Sequence, residues 1–258
     1  MLLGVVFLVA VPTLLAAGAA FLFGRRTEVI DGDYDSDSVS YVGGIVAALF
    51  TVVLAFYIVF AWQTGADVDS SASAEADALI DAYWQVEVLP EPGRGHVQDL
   101  SRSYAVQVSD TEWGMLAKGE KDPQVDQILD QLRSAFAALP VDGGVAQAAR
   151  EQGMADIRQI DDARRARIDA ATNDDVFNNV LLVGSVIGAA LALGFPLLAG
   201  ISARPVNIVI MAALGLVLGT TIFICIQLAS PIAGLFGAEP SAFLGALAEM
   251  TRSPGGSS

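Results

Sequence analysis

One row of side chains between residues 49 and 67 has the spacing and the chemical types of an ion path. Its members recur at intervals of three and four residues, so a helix places them on one face: Leu49, Val53, Phe56, Phe60, Gln63 and Asp67. The row is apolar at first and ends in an amide and a carboxylate. In a symmetric ring of subunits, such a row predicts a hydrophobic constriction that gates by dewetting, beside a ring of carboxylates that favours cations.

The same segment allows a second interpretation. Phe56 and Phe60 can instead face lipid or pack on other spans, which is the common use of an aromatic pair in a membrane helix. The opposite face is made of small residues that suit close contact with another helix: Gly44, Ala48, Thr51 and Ala55. Spacing alone therefore leaves both a pore and a packing surface open.

The segment that carries this row reads as a membrane span that continues into water. Residues 42–62 contain no charged side chain, and at about 1.5 Å per residue they cross a hydrocarbon core of about 30 Å. The residues up to Trp84 keep the helical spacing of apolar positions and contain no proline. Pro90 and Pro92 predict that the helix ends near Leu89. One long helix is therefore expected to join the membrane to a soluble domain.

Three further apolar stretches and one insert complete the organisation. The predicted spans are Met1–Phe23, Val42–Trp62, Phe177–Ile201 and Val206–Ala229. Residues 1–62 hold two spans and a short acidic loop, residues 63–175 an acidic helical soluble domain, and residues 176–230 the other two spans. Residues 231–258 form a C-terminal interfacial helix, or a strip packed on the bundle, and a disordered tail. The fold class is an all-α membrane protein with four transmembrane helices and an all-helical soluble insert between the second and third.

Periodicity predicts three more helices inside the insert. One follows the two prolines and ends near Gly119. The next begins at Asp122 and Pro123 and has the clearest amphipathic pattern in the chain. The last, roughly 145–171, is more polar. The insert is therefore expected to be a helical bundle without strands.

The charge of the chain is concentrated in the insert. The 258 residues are 53% hydrophobic and carry a net charge of −15. Residues 62–175 contain 22 acidic and 10 basic side chains, whereas the four apolar stretches contain no charged residue. An acidic surface repels nucleic acid, so no nucleic-acid partner is expected, but a protein partner of the acidic domain is. The spans favour membrane lipid as their surroundings.

No motif for catalysis, metal or cofactor binding emerges. Aspartates at 31, 33, 35 and 37 invite a calcium interpretation, but an EF-hand loop beginning at Asp31 or Asp33 needs a glycine and a glutamate that are missing. A solvated acidic turn is the simpler explanation. His96 lies in a proline and glycine turn without convergent partners, and Cys225 is the only cysteine. The chain is therefore not predicted to be an enzyme, and no cofactor or metal is expected.

Membrane orientation is not decided by the arginines that flank the spans. The loops on one side carry Arg25, Arg26 and Arg204, and the other side carries Arg158, Arg164, Arg165 and Arg167. The positive-inside rule therefore counts three against four. The first span, taken alone, favours an outside amino terminus.

The order of these features resembles a known family. The resemblance rests on short groups along the chain: Glu75 with Ala76, Leu89 with Pro90, Tyr104, Glu112 with Trp113, Arg164, Arg165 and Arg167, and Ser230, Pro231 and Gly234. Together with two spans, a helical insert and two more spans, they resemble the bestrophin-like membrane proteins of bacteria, common in actinobacteria. Those proteins are distant relatives of the bestrophin ion channels, and the resemblance covers nearly the whole chain.

The resemblance implies an assembly and a membrane location. It implies a homopentamer in the plasma membrane, with a pore along Val53, Phe56 and Phe60, a cytoplasmic insert and both termini inside. This sequence shows no counterpart of the bestrophin calcium clasp. Tyr104 and Trp113 are expected in the core, because large aromatics on amphipathic helices usually face inward. The arginines at 164 to 167 are expected to pair with acidic side chains or lipid phosphate.

Two functions from different classes follow. The first is a bestrophin-like oligomeric channel for inorganic ions, with a hydrophobic neck on the second span and a weak lean to cations. The second is a non-conducting membrane scaffold or sensor whose acidic helical domain binds a protein partner.

Overall fold

The computed structural model describes residues 36–139, 143–172, 176–198, 204–235 and 237–252, together with residues 14, 18 and 22. The described residues form helices and connecting turns and contain no strand. The helices are α1 (Ser36–Gln85), α2 (Gly93–Gln107), α3 (Trp113–Leu116), α4 (Pro123–Ala137), α5 (Gly144–Thr172), α6 (Val176–Leu198), α7 (Pro205–Leu228) and α8 (Ser241–Met250). A π-helical segment, Val108–Glu112, joins α2 to α3. The prediction of an all-helical chain is confirmed for these residues.

The chain divides into two compact units. The first contains residues 1–62 and 174–229, and the second contains residues 63–173 and 230–258. We refer to them as the membrane unit and the soluble unit. Three described helices are long and apolar enough to cross a membrane: Tyr41–Gln85, Asn179–Pro196 and Pro205–Leu228. They correspond to the second, third and fourth predicted spans. The first predicted span lies outside the described residues, apart from residues 14, 18 and 22.

Helix α1 is a single helix of 50 residues. Its length confirms that the helix of the second predicted span continues to Gln85 without a break. The prediction that it ends near Leu89 is wrong by four residues, because α1 ends at Gln85. Two tight turns follow, in which Glu87 N donates to Trp84 O and Leu89 N donates to Val86 O, both at 3.0 Å. Pro90 keeps Leu89 out of the helix, since the residue before a proline disfavours helical backbone angles, and the two turns occupy the residues between Trp84 and Leu89.

In the membrane unit, glycines of α6 let α1 approach closely. The Phe50 ring lies where a side chain on Gly188 would stand, and Val53 lies beside Gly184. The roles reverse at Gly43 of α1, which receives the ring of Phe195. Small residues at such crossings are typical of membrane helix pairs, because no hydrophobic force drives helices together in lipid and close van der Waals contact must do so.

The contact between α1 and α7 centres on Tyr57. Tyr57 and Ala61 of α1 are buried together with Cys225 of α7. The Tyr57 hydroxyl donates to the backbone carbonyl of Cys225 at 2.7 Å. A buried phenol needs such an acceptor, so this hydrogen bond fixes one face of α1 against the rest of the membrane unit.

The soluble unit has one continuous hydrophobic core. It takes side chains from the second half of α1 and from α2, α4, α5 and α8. Helix α4 begins as predicted: Pro123 is its first residue, and the Asp122 carboxylate accepts from Gln124 N at 2.9 Å. Helices α4 and α5 flank Gly143, whose φ of 118° requires glycine. Helix α5 follows, close to the predicted 145–171.

Helix α8 packs on this core. Phe243, Ala246 and Met250 are buried in it. The Tyr83 hydroxyl donates to Met250 O at 3.0 Å, which ties the end of α8 to α1. Of the two placements considered for the C-terminal segment, packing on the bundle is the one the structure shows. The predicted disordered tail and residues 31–35 of the acidic loop lie outside the described residues.

Candidate functional site

Two exposed aromatic residues bracket the membrane half of α1. Tyr41 is 72% exposed and Trp62 is 70% exposed. They are separated by about 32 Å along a helix, which matches the hydrocarbon thickness. Tyr and Trp favour the two membrane interfaces. Leu49, Val53, Phe56 and Phe60 all lie between these two residues on the helix.

The structure divides the predicted row of six residues. Leu49 is 62% and Phe56 56% exposed, whereas Phe60 is 41% exposed and has an interaction within the chain. Val53 is half-buried beside Gly184 of α6. Among the described helices, the row therefore borders α6 at Val53 and is exposed at Leu49 and Phe56.

The polar end of the row begins just beyond Trp62. Gln63 and Asp67 are both exposed, and the Gln63 side-chain amide donates to the Asp67 carboxylate at 3.4 Å. An amide and a carboxylate one turn apart can replace part of the hydration shell of a cation. The described part of one copy does not enclose this row, so an ion path along it would need several copies.

The small-residue face of α1 is exposed as well. Gly44, Ala48, Thr51 and Ala55 are all exposed. The Thr51 hydroxyl donates to Ala47 O at 2.9 Å within the helix. Contacts inside the membrane unit use a different face, so the predicted close contact of this face is not made within the described part of the chain.

A second group of chemically capable side chains is buried in the soluble unit. Arg167 of α5 donates to the Glu75 carboxylate through Nε at 2.7 Å and through Nη2 at 3.1 Å. Its Nη2 also donates to the Glu112 carboxylate at 2.7 Å. These three side chains have no exposed surface. One guanidinium therefore joins α1, α5 and the π-helical segment.

Arg164 extends this network towards the surface. Its Nη2 donates to the other Glu112 oxygen at 2.5 Å, and its Nη1 pairs with Asp126 of α4. The Tyr104 hydroxyl of α2 donates to Glu75 at 2.6 Å. Two carboxylates and two guanidiniums thus balance in the interior, which is the condition for burying charge at tolerable cost.

Burial and pairing act in opposite directions on the acidity of these groups. Desolvation raises the pKa of Glu75, while Arg167 and the Tyr104 hydroxyl pull that pKa back. Desolvation and the neighbouring Glu75 carboxylate raise the pKa of Tyr104 well above its ordinary value. The Tyr104 phenol therefore stays protonated and remains a hydrogen-bond donor.

Aromatic side chains cover the network on the side of α8. The Arg167 guanidinium lies 5.4 Å from the Trp113 ring centroid and 5.5 Å from that of Phe243. The Trp113 indole donates to Ala238 O at 2.9 Å. Such a cation–π contact is strongest when the cation is desolvated. The C-terminal segment therefore seals the charged core from water.

Part of this network agrees with what the sequence predicts. Tyr104 and Trp113 are buried, and Arg164 and Arg167 pair with acidic side chains, as expected. Arg165 also pairs with an acidic side chain, Asp161, at 2.7 Å, but on the surface. The partners Glu75 and Glu112 were missed. Each stands at a position where helical spacing calls for an apolar side chain. A glutamate at such a position is the feature of the sequence that indicates a buried, paired carboxylate.

The remaining candidates do not converge on a site. His96 is exposed and lines a shallow groove with Asp130 and Ser134. Within the ranges that the structure describes, no three His, Cys, Asp or Glu side chains lie close enough together to hold a metal ion. Cys225 is a free, buried thiol.

Comparison with known proteins gives one match. The family model described as "Bestrophin-like domain" matches residues 7–243. No curated protein and no solved structure matches the chain. The matched region includes the second, third and fourth apolar spans, most of the first, the row on α1 and residues 231–243 of the C-terminal segment. The bestrophin family is known for ion channels rather than enzymes. This membrane protein therefore belongs to the bestrophin-like family.

Proposed function

We propose that the protein is an oligomeric ion channel whose pore is formed by α1 from several copies. The supporting observation is that the membrane half of α1 exposes a long apolar face that its own chain leaves uncovered in the described residues. Family membership supports the choice of a channel over a lipid-facing anchor. A homopentamer in the plasma membrane, with the soluble unit in the cytoplasm, is the arrangement we propose.

The neck of this channel lies at the phenylalanines. In the assembled ring of copies, Phe56 and Phe60 form apolar rings that exclude water where the pore is narrow. Leu49 and Val53, earlier in the row, add further apolar rings. Gln63 and Asp67 follow outside the hydrocarbon and give a weak preference for cations. Inorganic ions are therefore the proposed substrate, and lipid surrounds the outer spans.

Oligomeric state and conductance test this proposal together. In mild detergent the purified protein should run as a pentamer, and it should conduct in a planar lipid bilayer. Phe56→Ala combined with Phe60→Ala should raise the current, because the dewetted constriction is removed. Leu191→Ala, on the exposed surface of α6, is the matched control and should leave the current unchanged. A monomer or dimer without conductance contradicts the proposal.

A non-conducting scaffold or sensor is the second candidate. The observation in its favour is a set of exposed carboxylates on the soluble half of α1 that form no ion pair within the described residues: Asp67, Asp69, Asp77 and Asp81. Such a surface suits a basic protein partner. Intact oligomers that never conduct, recovered from native membranes with one stoichiometric partner, favour this candidate over the channel.

A further inference from the structure

The π-helical segment between α2 and α3 decides which way the chain after α2 faces. Tyr104 and Val108 are fully buried on one side of α2. If the α-helix continued at about 100° per residue, Trp113 would stand about 180° from Tyr104, on the opposite side. Trp113 is nevertheless buried in the same core. The wider π turn takes up one extra residue and so keeps Trp113 on the buried side.

A chain shorter by one residue would not need this turn. Thr111 is an exposed residue of the π-helical segment. Without it, a regular α-helix would place Glu112 about 20° and Trp113 about 80° from Tyr104, so both would still face the core. A π turn is rare in helices and occurs mostly at functional sites. The sequence keeps an unusual turn where a simple deletion would give a regular helix, which points to a role for the turn itself.

Glu112, at the end of this segment, is the carboxylate that the buried network can release. Its two oxygens accept from Arg164 at 2.5 Å and from Arg167 at 2.7 Å. Each arginine also has a carboxylate of its own, which is Asp126 for Arg164 and Glu75 for Arg167. Two buried nitrogens, Arg164 Nε and Arg167 Nη1, have no partner within the described residues even with Glu112 in place. Glu112 can therefore move away while both guanidiniums stay paired, which avoids the main cost of opening a buried ion pair.

The chain that follows the segment can absorb a change of register. Helix α3 has only four residues, Trp113–Leu116. The turn after it contains Gly119, whose φ of 77° lies in the region that favours glycine. Lys118 and Glu120 on either side of this glycine are exposed. A rotation of α3 can therefore end in this turn without moving α4.

We infer that the π-helical segment is a two-state switch in the soluble unit, which passes between π-helical and α-helical turns. In the α-helical state Glu112 turns by about 100°, towards the edge of the buried face, and its carboxylate no longer joins the two arginines. Trp113 turns away from Ala238 O, to which its indole donates at 2.9 Å, and from the Phe243 ring. The C-terminal segment then loses both contacts with Trp113. This inference concerns the soluble unit alone and does not rest on the proposed channel.

Fluorine NMR of the full chain in detergent tests the switch at Trp113. The chain has three tryptophans, and Trp113→Phe identifies the signal of Trp113 after labelling with 5-fluorotryptophan. Saturation-transfer spectra of the parent protein should reveal a second, exchanging environment for Trp113, since the minor state of such an element holds about 0.1–10% of the molecules. Deletion of Thr111 should abolish the exchange, because a regular helix then keeps Trp113 buried. Thr111→Ala retains the extra residue and is the matched control, so it should keep the exchange.

Glu112→Gln tests the switch from the side of the charge network. The amide keeps the size of the side chain but lacks the charge that holds it to Arg164 and Arg167. The population of the second Trp113 environment should therefore rise by about fivefold or more. Absence of a second environment in both the parent protein and Glu112→Gln overturns the inference, whether or not the deletion variant folds. Exchange that persists after deletion of Thr111 overturns it as well.

Discussion

Arg167 donates two hydrogen bonds to the Glu75 carboxylate, 92 residues away in sequence, and neither side chain has any exposed surface. The pair ties α5 to the soluble half of α1, the helix that carries the proposed pore in its membrane half. Glu112 and Tyr104 complete the shell around it. Each member has a charged or hydrogen-bonding partner within the cluster, so the loss of one leaves another buried and unpaired.

Removing Arg167 should therefore destabilise the soluble unit strongly. Arg167→Met leaves the Glu75 carboxylate in the interior without its cation. The expected loss is about 3–5 kcal/mol in the free energy of unfolding, the usual cost of breaking a buried ion pair from one side. Thermal or denaturant unfolding of the full chain in detergent measures it.

Arg165→Ala is the control for this variant. Arg165 is two residues away on the same helix but 69% exposed, and it pairs with Asp161 on the surface. Its replacement should change the unfolding free energy by no more than about 0.5 kcal/mol. An equal loss of unfolding free energy in the two variants would show that the buried network contributes no more stability than a surface ion pair.

The helices of the soluble unit could be predicted because their signals are local. The start of α4 is marked by a capping aspartate followed by proline, and apolar positions repeat along the helix. The partners of Arg167 could not be predicted in the same way. Glu75 and Glu112 reach it only through tertiary packing, and a glutamate on a helix normally indicates a solvated face.

The contact face of α1 was hidden from the sequence for a different reason. A membrane span is apolar on every side, so periodicity has no contrast with which to separate buried from lipid-facing positions. Gly184 and Gly188 decide the face by admitting Val53 and Phe50. The row that includes Val53 follows from spacing alone, yet Val53 is half-buried beside Gly184.

Phe243 should hold α8 against the rest of the soluble unit. Phe243 is fully buried and its ring lies near Trp113 and Arg167. Phe243→Ala should cost about 3–5 kcal/mol and should expose the C-terminal segment to protease before the rest of the domain. Leu244→Ala is the control, because Leu244 is exposed on the same helix. Identical cleavage rates in the two variants would contradict the packing role.

Two glycines should respond in opposite ways to alanine. At Gly153 of α5, an added methyl group would overlap the Phe136 ring, so Gly153→Ala should lose about 1–3 kcal/mol by overpacking. At Gly114 of α3 nothing lies within 4 Å of the added carbon. Gly114→Ala should therefore gain up to about 1 kcal/mol from helix propensity. Chemical denaturation of both variants beside the parent protein checks the sign, and a stable Gly153→Ala would mean that Phe136 can move aside.

Asp156 should make the soluble unit less stable as the pH rises. Burial raises the pKa of this carboxyl, Asp81 raises it further, and the hydrogen bond from Gln152 only partly compensates. A raised pKa in the fold means that the stabilising, protonated form is fully present below the unfolded pKa of about 3.9 and is lost as the pH rises through the folded value.

Asp156→Asn should therefore stabilise the protein by about 1 kcal/mol at pH 7, because the buried Oδ2, which has no partner in the described residues, is replaced by a neutral group. The advantage should shrink towards pH 3.5. Unfolding midpoints across this range measure the difference, with Asp162→Asn as the exposed control on the same helix, and an advantage independent of pH would contradict the titration of Asp156.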